Sequence, residues 1–572
     1  MAKSKSSKPK KKPLTPEQRK ERARQRAFAR QHKMIFERAG FQRVTGVDGK
    51  HFTFDGIKSE LDDLYVFENV VVMLEYTISS GAKLATHVKG KAGSHNKIAA
   101  KPYEFLQKLA EISAPVKEFL EEFPYSKNQA KFKLIYCSDE EVESHHQAFY
   151  NSTQFMPRPV RMYFYKLCST LRKSARFELF DYLGIDSQAI GKGGVFVSGA
   201  GSHRYHGSVL PPEHSNFPTG YRIASFYVDP EALLRRAYVL RRGGWKDSLN
   251  LYQRMIIPKK VNDIRRHLRE QHRVFANNIV LTLPDDTEFR NDDDEIIDTP
   301  SLSETTPAWI VIKDKPNSIG IVDGQHRVFS YYEDTQPDPL IDKYRKQQNL
   351  LATGIIYPTG MSKARKERFE AGLFLEINSN QASARSDLKQ AISLILDPFR
   401  PVSVARTVVD RLAATLPLAG ILEKSAYDVG RLRTTTIVTY GIQPLVKRSG
   451  EDSLFCVWDD VEKDKIVNGK NADVLARYIN FCVDRISSFL VQARAALDAD
   501  KWKIAAKGDS GILTVTAVNS LIILMRKLIE NGHMPNGKTS LALTTLNSVK
   551  FSNFKSSQYA ALATHMYNKV KP

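Results

Sequence analysis

Three acidic residues near the N-terminus lie in a pattern that suits a divalent cation. Glu60 and Asp62 are two positions apart, so on a strand their side chains point to one face, and Glu75 ends the apolar run VVVML. Carboxylates that converge on one point repel each other unless a cation joins them. Mg²⁺ prefers such oxygen ligands and can activate water for attack on a phosphodiester. We therefore expect a magnesium site, with a solvated acidic face as the alternative interpretation.

The elements around these acids have a recognisable order: helix, three strands, helix and strand. With the acids, this order over residues 35–140 resembles the PD-(D/E)xK nuclease superfamily, and the Mrr-type restriction enzymes in particular. The resemblance implies that Glu60 is the helix-borne or strand-borne catalytic acid and that Asp62 and Glu75 hold the metal.

The sequence departs from this superfamily at the position of its lysine. Two residues after the last acid the chain has Thr77, so the attacking water lacks its usual cationic partner there. The segment 83-KLATHVKGK offers replacements: Lys89 and Lys91 are the catalytic candidates, with Lys83 as a third. If none of them serves, the domain binds DNA without cutting it.

A second polar cluster, DGQHR, follows the apolar strand IGIV. The chain is expected to turn at Asp323-Gly324 and to begin a helix near Gln325, with His326 and Arg327 beside its first N–H groups. A helix start binds phosphate, and a guanidinium group adds a bidentate fork. The alternative interpretation is a helix cap closed by an Asp–Arg ion pair.

This cluster and its neighbours resemble the DGQHR-domain family, which is related to the ParB/sulfiredoxin-like fold and includes the DndB-type regulators of DNA phosphorothioation. The matching stretches span about residues 220–390 and include YQRMIIPKKVNDIRRHL, FANNIVLTL and FLEINSNQASARSDL. The resemblance implies binding of a phosphate from a nucleotide or from DNA. Sulfinic-acid reduction is not expected, because Gln325 stands where that chemistry needs a cysteine. The candidate phosphate- or nucleotide-binding residues are Asp323, Gly324, Gln325, His326, Arg327 and Asn378.

Half of the net charge of the chain is concentrated at its N-terminus. Residues 1–33 carry thirteen Lys or Arg against two Glu, a net charge of +11 out of +22. Such an arm suits a polyanion, because each phosphate that it neutralises releases a condensed counterion. A solubilising tail is the alternative. The candidate DNA-binding residues are Lys10, Lys11, Lys12, Arg22 and Arg26.

Bulk properties exclude several other classes of protein. The four cysteines are far apart and form no CxxC pair, which argues against a disulfide framework or a zinc site and fits the cytoplasm. No apolar run is long enough to cross a membrane, so no membrane partner is expected.

The elements that must position these residues can be predicted from hydrophobic periodicity. Thr15 and Gln18 predict a capping box at the start of a basic helix, strands are expected over 41–79 and at 131, and helices over 97–123 and 160–185. The fold class is α/β (α+β) and multidomain. The predicted domains are a basic arm (1–34), a PD-(D/E)xK-like domain (35–145), a helical or loop connector (146–219), a DGQHR (ParB-like) domain (220–395) and a helical C-terminal region (396–572).

These expectations lead to one functional hypothesis and two alternatives. The hypothesis is a Mg²⁺-dependent DNA endonuclease of a bacterial DNA-modification, restriction or antiviral defence system, with a phosphate- or nucleotide-sensing DGQHR domain. The alternatives are a non-enzymatic DNA-binding regulator with a decayed nuclease domain, and an NTPase centred on DGQHR. DNA is the expected partner, a nucleotide is a second candidate ligand, and the oligomeric state is left open.

Overall fold

The chain folds into two compact units in a computed structural model. The structure describes residues 15–191, 202–241, 245–246, 253–379, 386–424, 427–467, 471–506 and 509–571. The first unit comprises Met1–Val239, Gly244–Lys246 and Met255–Thr359. The second comprises Leu240–Gly243, Asp247–Arg254 and Gly360–Pro572.

The N-terminal part of the first unit is built on a mixed sheet. Its strands are β1 (Gln42–Val44), β2 (Phe52–Phe54), β3 (Ile57–Ser59), β4 (Asp63–Phe67), β5 (Val70–Thr77), β6 (Lys131–Ser138) and β7 (Thr153–Met156). Its helices are α1 (Pro16–Arg38), α2 (Gly81–Ala100), α3 (Pro102–Ala110), α4 (Ala114–Glu122), α5 (Ser144–Gln147), α6 (Arg158–Leu171) and α7 (Arg176–Tyr182). The strand order is β1-β4-β5-β6-β7, antiparallel up to β5 and parallel from β5 to β7, and β2 and β3 form a separate hairpin.

Strand β5 is the centre of this sheet and is covered on both faces, which explains its continuous apolar run. Side chains alternate along a strand, so Val71, Met73 and Glu75 share one face. Val71 and Met73 pack there with the apolar side chains of α3. On the opposite face, Tyr76 stacks on His32 of α1 with ring centroids 4.8 Å apart. The alternation therefore directs Glu75 towards the helical layer that contains α2 and α3.

Several predicted elements are confirmed and others differ. The capping box of Thr15 and Gln18 is present, and the strands expected at 69 and 131 are β5 and β6. Strand β4 begins only at Asp63, so Glu60 and Asp62 lie in the segment before it and not on a strand. Residues 81–100 form α2, and only its last four residues lie in the helix predicted over 97–123.

The region expected to be a connector, 146–219, divides between two sheets. Strand β7 extends the first sheet because its backbone pairs in parallel with β6. Strand β8 lies in a segment expected to be a loop and pairs with β9 and β13 in the second sheet. Backbone hydrogen bonds form these strands despite the glycine, histidine and proline content of the segment.

The second sheet of the first unit carries the DGQHR segment at the end of β14. The strands are β8 (Ser202–Leu210), β9 (Arg222–Val228), β10 (Ala237–Tyr238), β11 (Ile279–Leu283), β12 (Glu288–Arg290), β13 (Thr306–Lys313), β14 (Ile319–Asp323) and β15 (Leu350–Ile356). The helices are α8 (Pro212–Ser215), α9 (Pro230–Arg236), α10 (Pro258–Gln271), α11 (Gln325–Phe329) and α12 (Pro339–Gln347). Among the described residues the order is β10-β14-β11-β15-β9-β8-β13-β12, with parallel pairing at β10–β14 and β11–β15.

The second unit is mainly helical, as predicted for the C-terminal region. Its helices are α13 (Lys363–Ser379), α14 (Ser386–Leu396), α15 (Pro401–Leu412), α16 (Gln443–Leu445), α17 (Asp464–Val467), α18 (Ala472–Ala495), α19 (Val515–Glu530) and α20 (Tyr559–Val570), with a π-helical segment at Ile437–Ile442. The second unit also contains α13 and α14, which precede the boundary predicted at 396.

None of the helices in the described ranges is long and apolar enough to cross a membrane.

Candidate metal-dependent active site

The central residue of the candidate site is Glu75, near the end of β5. Its side chain is only 3% exposed, and its Oε1 atom lies 2.5 Å from the Nζ atom of Lys91. Its Oε2 atom is buried and has no hydrogen-bond partner in the described part of the chain. Burial, and then repulsion from Asp62, raises the pKa of Glu75 to about 8. A buried carboxylate oxygen without a partner is costly, so its presence indicates a ligand or a proton at this position.

Helix α2 supplies the basic groups that face Glu75. His87, Lys91 and His95 are four residues apart and therefore lie on one side of the helix. The Nζ atom of Lys91 pairs with both Glu75 and Glu60, and these carboxylates raise its pKa against the opposing effect of burial. Lys91 thus places a positive charge beside Glu75. Thr77, which lies on β5 itself, has no charge to contribute.

The two imidazoles point their Nε2 atoms at different oxygens of Glu75. His87 Nε2 lies 3.9 Å from Oε1, and His95 Nε2 lies 4.0 Å from Oε2. The Nδ1 atom of His87 is hydrogen-bonded to the Tyr136 hydroxyl at 2.6 Å. Burial lowers the pKa of both imidazoles, and that of His95 falls to about 3. Both rings are therefore neutral at neutral pH.

The remaining two acids reach the site from the segment between β3 and β4. Asp62 Oδ2 accepts a hydrogen bond of 2.6 Å from the backbone N–H of Tyr76, and burial raises its pKa to about 6. Glu60 is more exposed and also pairs with His51 Nδ1 at 2.7 Å. Partial burial raises the pKa of Glu60, but the hydrogen bond and charge of Lys91 outweigh it and lower the pKa. The predicted acids therefore do come together, although by a loop and not by strand alternation.

Of the lysines predicted as replacements for the missing cation, the structure places only Lys91 at the acids. Lys83 and Lys89 are exposed on α2. The charge of Lys89 acts on His146, beyond the face that meets Glu75. Lys89 was predicted as a catalytic candidate, and the helical geometry of α2 turns it away from the acids.

A second cluster of metal-ligand atoms lies on the surface at α5. One ligand atom each of Glu143, His145 and His146 lies within 4.8 Å of the others. Glu143 and His145 are exposed, and no further feature of the described residues points to an ion there. Within the described ranges this is the one group of three such ligand atoms that lie so close together, and the acids around Glu75 are marked instead by the buried Oε2 atom of Glu75, which has no hydrogen-bond partner.

The DGQHR segment forms the predicted turn and a short helix, but its polar groups are engaged with the protein. Arg327 donates to Asp323 Oδ2 at 2.6 Å, and His326 Nε2 accepts from the backbone N–H of Ile257 at 3.1 Å. Gln325 is buried. Helix α11 has only five residues. This geometry favours the helix cap with an Asp–Arg ion pair, and phosphate binding at these residues stays a prediction.

The other predicted binding residues are Asn378, Arg22, Arg26, Lys10, Lys11 and Lys12. Asn378 belongs to the second unit, where its side-chain amide donates to the Phe374 carbonyl of α13 at 2.9 Å. Arg22 and Arg26 are exposed on α1. Lys10, Lys11 and Lys12 lie outside the described residues.

The turn at Gly324 should be intolerant of a side chain. Its φ is +100°, and a Cβ atom would lie 2.5 Å from Ile279 Cγ2. We expect Gly324→Ala to reduce the free energy of unfolding by about 2–4 kcal/mol, from backbone strain and overpacking together. Urea denaturation measures this value, and Gly56→Ala is the control because Gly56 has φ +80° and open space around it. Equal losses in both variants would contradict the packing argument.

The buried acids predict that the cation-free protein becomes less stable as the pH rises. Because the pKa of Asp62 is raised to about 6 and that of Glu75 to about 8, the folded state binds protons more tightly than the unfolded chain. This contribution is complete below the unfolded carboxyl pKa of roughly 4 and is lost as the pH rises through these two values. Melting temperatures measured with a chelator should fall over this interval. Glu75→Gln should flatten the decrease above pH 6, and an unchanged slope would contradict the assignment.

Comparison of the chain with protein-family models, with curated proteins and with solved structures found no match in any of the three. The family resemblances drawn from the motifs therefore stay predictions.

Proposed function

We propose that this protein is a divalent-cation-dependent DNA endonuclease whose active site consists of Glu60, Asp62, Glu75 and Lys91. The observation that carries the proposal is the pairing of Lys91 with Glu75, whose second oxygen is buried without a partner. Lys91 supplies from α2 the positive charge that the sequence lacks at Thr77. The mixed sheet and its helices support a PD-(D/E)xK-like arrangement.

The donor set of the site fits a hard divalent cation such as Mg²⁺. Asp62 and Glu75 would hold it, because a bound cation would stabilise the charged form of these two carboxylates, which burial disfavours. When bound, the cation lowers the pKa of a water molecule and so supplies a hydroxide nucleophile. Glu60 keeps Lys91 at the site through the ion pair between them.

Lys91 would act on both the nucleophile and the phosphate. Its ammonium group has three N–H donors, of which two are engaged with Glu60 and Glu75. The third donor is available to orient a water molecule or a phosphate oxygen. A positive charge at that point stabilises the additional negative charge of the transition state.

The basic arm would supply affinity for DNA. Helix α1 presents Arg22 and Arg26 to solvent, while Arg24 is tied to Asp139 at 2.7 Å. Contacts of this kind bind the phosphate backbone regardless of sequence and weaken as salt is added. A role in a bacterial DNA-modification or defence system is proposed only from the motif resemblance to Mrr-type and DndB-type proteins.

A plasmid-nicking assay tests the proposal. Supercoiled plasmid is incubated with the full chain and Mg²⁺ or Mn²⁺, with and without nucleotides and with a chelator as control. We expect nicked and linear products only when the cation is present. Intact plasmid under every condition would overturn the enzyme proposal.

One observation favours a second candidate, a DNA-binding regulator that does not cut. Lys91 already neutralises two of the acids, so the fold can tolerate them without a cation. Salt-sensitive DNA binding together with intact plasmid in the same assay would select this alternative.

A further inference from the structure

We infer that the groove between strand β1 and helix α4 docks an extended segment of a partner protein that carries lysine at every second position. The groove lies in the first unit and has a volume of about 440 Å³. One face of α4, between residues 115 and 123, lines it on one side, and residues 42–45 line it on the other. None of the four residues of the proposed active site lines it, so the inference does not depend on the nuclease proposal.

Strand β1 offers backbone hydrogen-bonding groups to this groove. It lies at the edge of its sheet, where β4 is its neighbour. Residues 42–45 form no backbone hydrogen bond outside the sheet in the described part of the chain. Because successive residues of a strand direct their N–H and C=O groups to alternate sides, some of these groups point away from β4. An edge of this kind binds an extended peptide as an additional strand.

Two hydrogen bonds hold the walls of the groove at a fixed spacing. Ser113, immediately before α4, donates from its hydroxyl to the Gly46 carbonyl after β1 at 2.8 Å. Beyond the other end of α4, the Tyr125 hydroxyl donates to Glu68, which follows β4. The groove is therefore formed before a partner binds.

The face of α4 that lines the groove combines apolar and acidic side chains. Phe119 and Phe123 are partly buried against the core, and both also line the groove. Glu118 and Glu122 are exposed, and neither forms a hydrogen bond or an ion pair with another described residue. The groove thus presents apolar surface together with two carboxylates that are open to a ligand.

The charge of the groove is opposite in sign to that of the whole chain. The chain has a net charge of +22, whereas the groove is lined by three glutamates and by Arg43. The Nε atom of Arg43 is already paired with the buried carboxylate of Asp63 at 2.6 Å. Such a surface repels the phosphates of DNA and attracts a cationic segment. The expected partner is therefore a basic protein segment and not nucleic acid.

The spacing of the two open carboxylates matches that of alternate residues on a strand. Glu118 and Glu122 are one helical turn apart, about 6 Å along the axis of α4. Side chains two positions apart on a strand point the same way and are separated by about 6.6 Å. Two lysines so spaced bring their ammonium groups to these glutamates, and their aliphatic stems lie over Phe119 and Phe123.

Binding of labelled peptides to the full chain tests the inference by fluorescence anisotropy. The probe is a threonine heptapeptide with two lysines separated by one residue, and the control peptide has them separated by two. Two further versions of the probe are N-methylated, one at the lysines and one at the residues that follow them. The protein variant is Glu118→Gln with Glu122→Gln. Its matched control is Glu111→Gln with Glu121→Gln, which removes the same charge from exposed acids that pair with lysines outside the groove.

We expect the probe to bind wild type about 5-fold or more tightly than it binds the Glu118/Glu122 variant, since two partly exposed ion pairs are lost. The Glu111/Glu121 variant should bind like wild type, and the control peptide should bind more weakly than the probe. One N-methylated version should bind and the other should not, because only alternate N–H groups face β1. Binding weaker than about 1 mM, or equal binding to all three proteins, would overturn the inference. Equal binding of both N-methylated versions would overturn strand addition.

Two further measurements distinguish other occupants of the groove. A peptide with the sequence of residues 1–14 is titrated in the same way, because it too is rich in lysine. Tighter binding of this peptide than of the probe would assign the groove to the basic arm of the chain and overturn the partner protein. Sedimentation velocity of the chain alone gives its oligomeric state. A dimer that the probe dissociates would assign the groove to a second copy, with the same consequence.

Discussion

Glu75→Gln is expected to abolish metal-dependent DNA cleavage while leaving the fold intact. Glutamine keeps the shape of the side chain but removes the charge that would bind the cation. Loss of even an outer-shell partner of a metal commonly costs about 10–100-fold in affinity or activity, so loss of a ligand should cost at least about 100-fold. The initial rate of plasmid nicking at saturating Mn²⁺ measures the effect.

Two controls separate this effect from unfolding or from a different metal site. Because burial disfavours the charged form of Glu75, the uncharged glutamine should preserve or increase the stability of the protein at neutral pH. Thermal melting measures this stability. Glu143→Gln changes an exposed acid of the surface cluster and should leave the rate of nicking unchanged. If the Glu143 variant loses activity and the Glu75 variant keeps it, the active site has been assigned to the wrong cluster.

Lys91→Met is expected to reduce cleavage by about 10²–10³-fold, the usual effect of removing one group that stabilises transition-state charge. Methionine preserves much of the side-chain volume but none of the charge that now lies between Glu60 and Glu75. Cation affinity should increase, because the ammonium group no longer competes for Glu75. The measurements are the nicking rate and a titration with Mn²⁺.

Lys89→Met is the matched control, since Lys89 lies on the same helix and is exposed away from the acids. We expect it to cleave at nearly the wild-type rate, with at most a small loss of DNA affinity at higher salt. If Lys89→Met were inactive and Lys91→Met active, the assignment of the cationic group to Lys91 would fail.

Local sequence patterns were sufficient to predict the strand that carries Glu75 and the start of α1. An uninterrupted apolar run ending in an acid predicts a buried strand with a carboxylate near its end, and β5 has this form. Thr15 and Gln18 predicted the capping box of α1 because both hydrogen bonds join residues three positions apart. The turn at Gly324 was also predictable from local sequence, because a positive φ depends on the type of a single residue and glycine adopts it readily.

Helix α2 was not predicted over residues 81–96 because the composition of this segment hides its periodicity. The segment contains glycines and many polar residues, and these lower the helical signal. A weaker pattern was present: Leu84, Val88 and Ala92 repeat every four residues and are buried. His87, Lys91 and His95 are also spaced by four residues, and His87 and Lys91 each lie one position before a residue of the buried repeat.

The sequence by itself determined which groups are available: three acids, a buried strand that carries one of them, and a basic arm. It also showed that position 77 is a threonine and not a lysine. Only the tertiary structure decided that Lys91 and not Lys89 pairs with Glu75, and that Glu60 and Asp62 reach the same site from the segment before β4. Local patterns fix hydrogen bonds between near neighbours in the chain. The direction in which α2 faces the sheet depends on packing between residues that are distant in sequence, which no local pattern records.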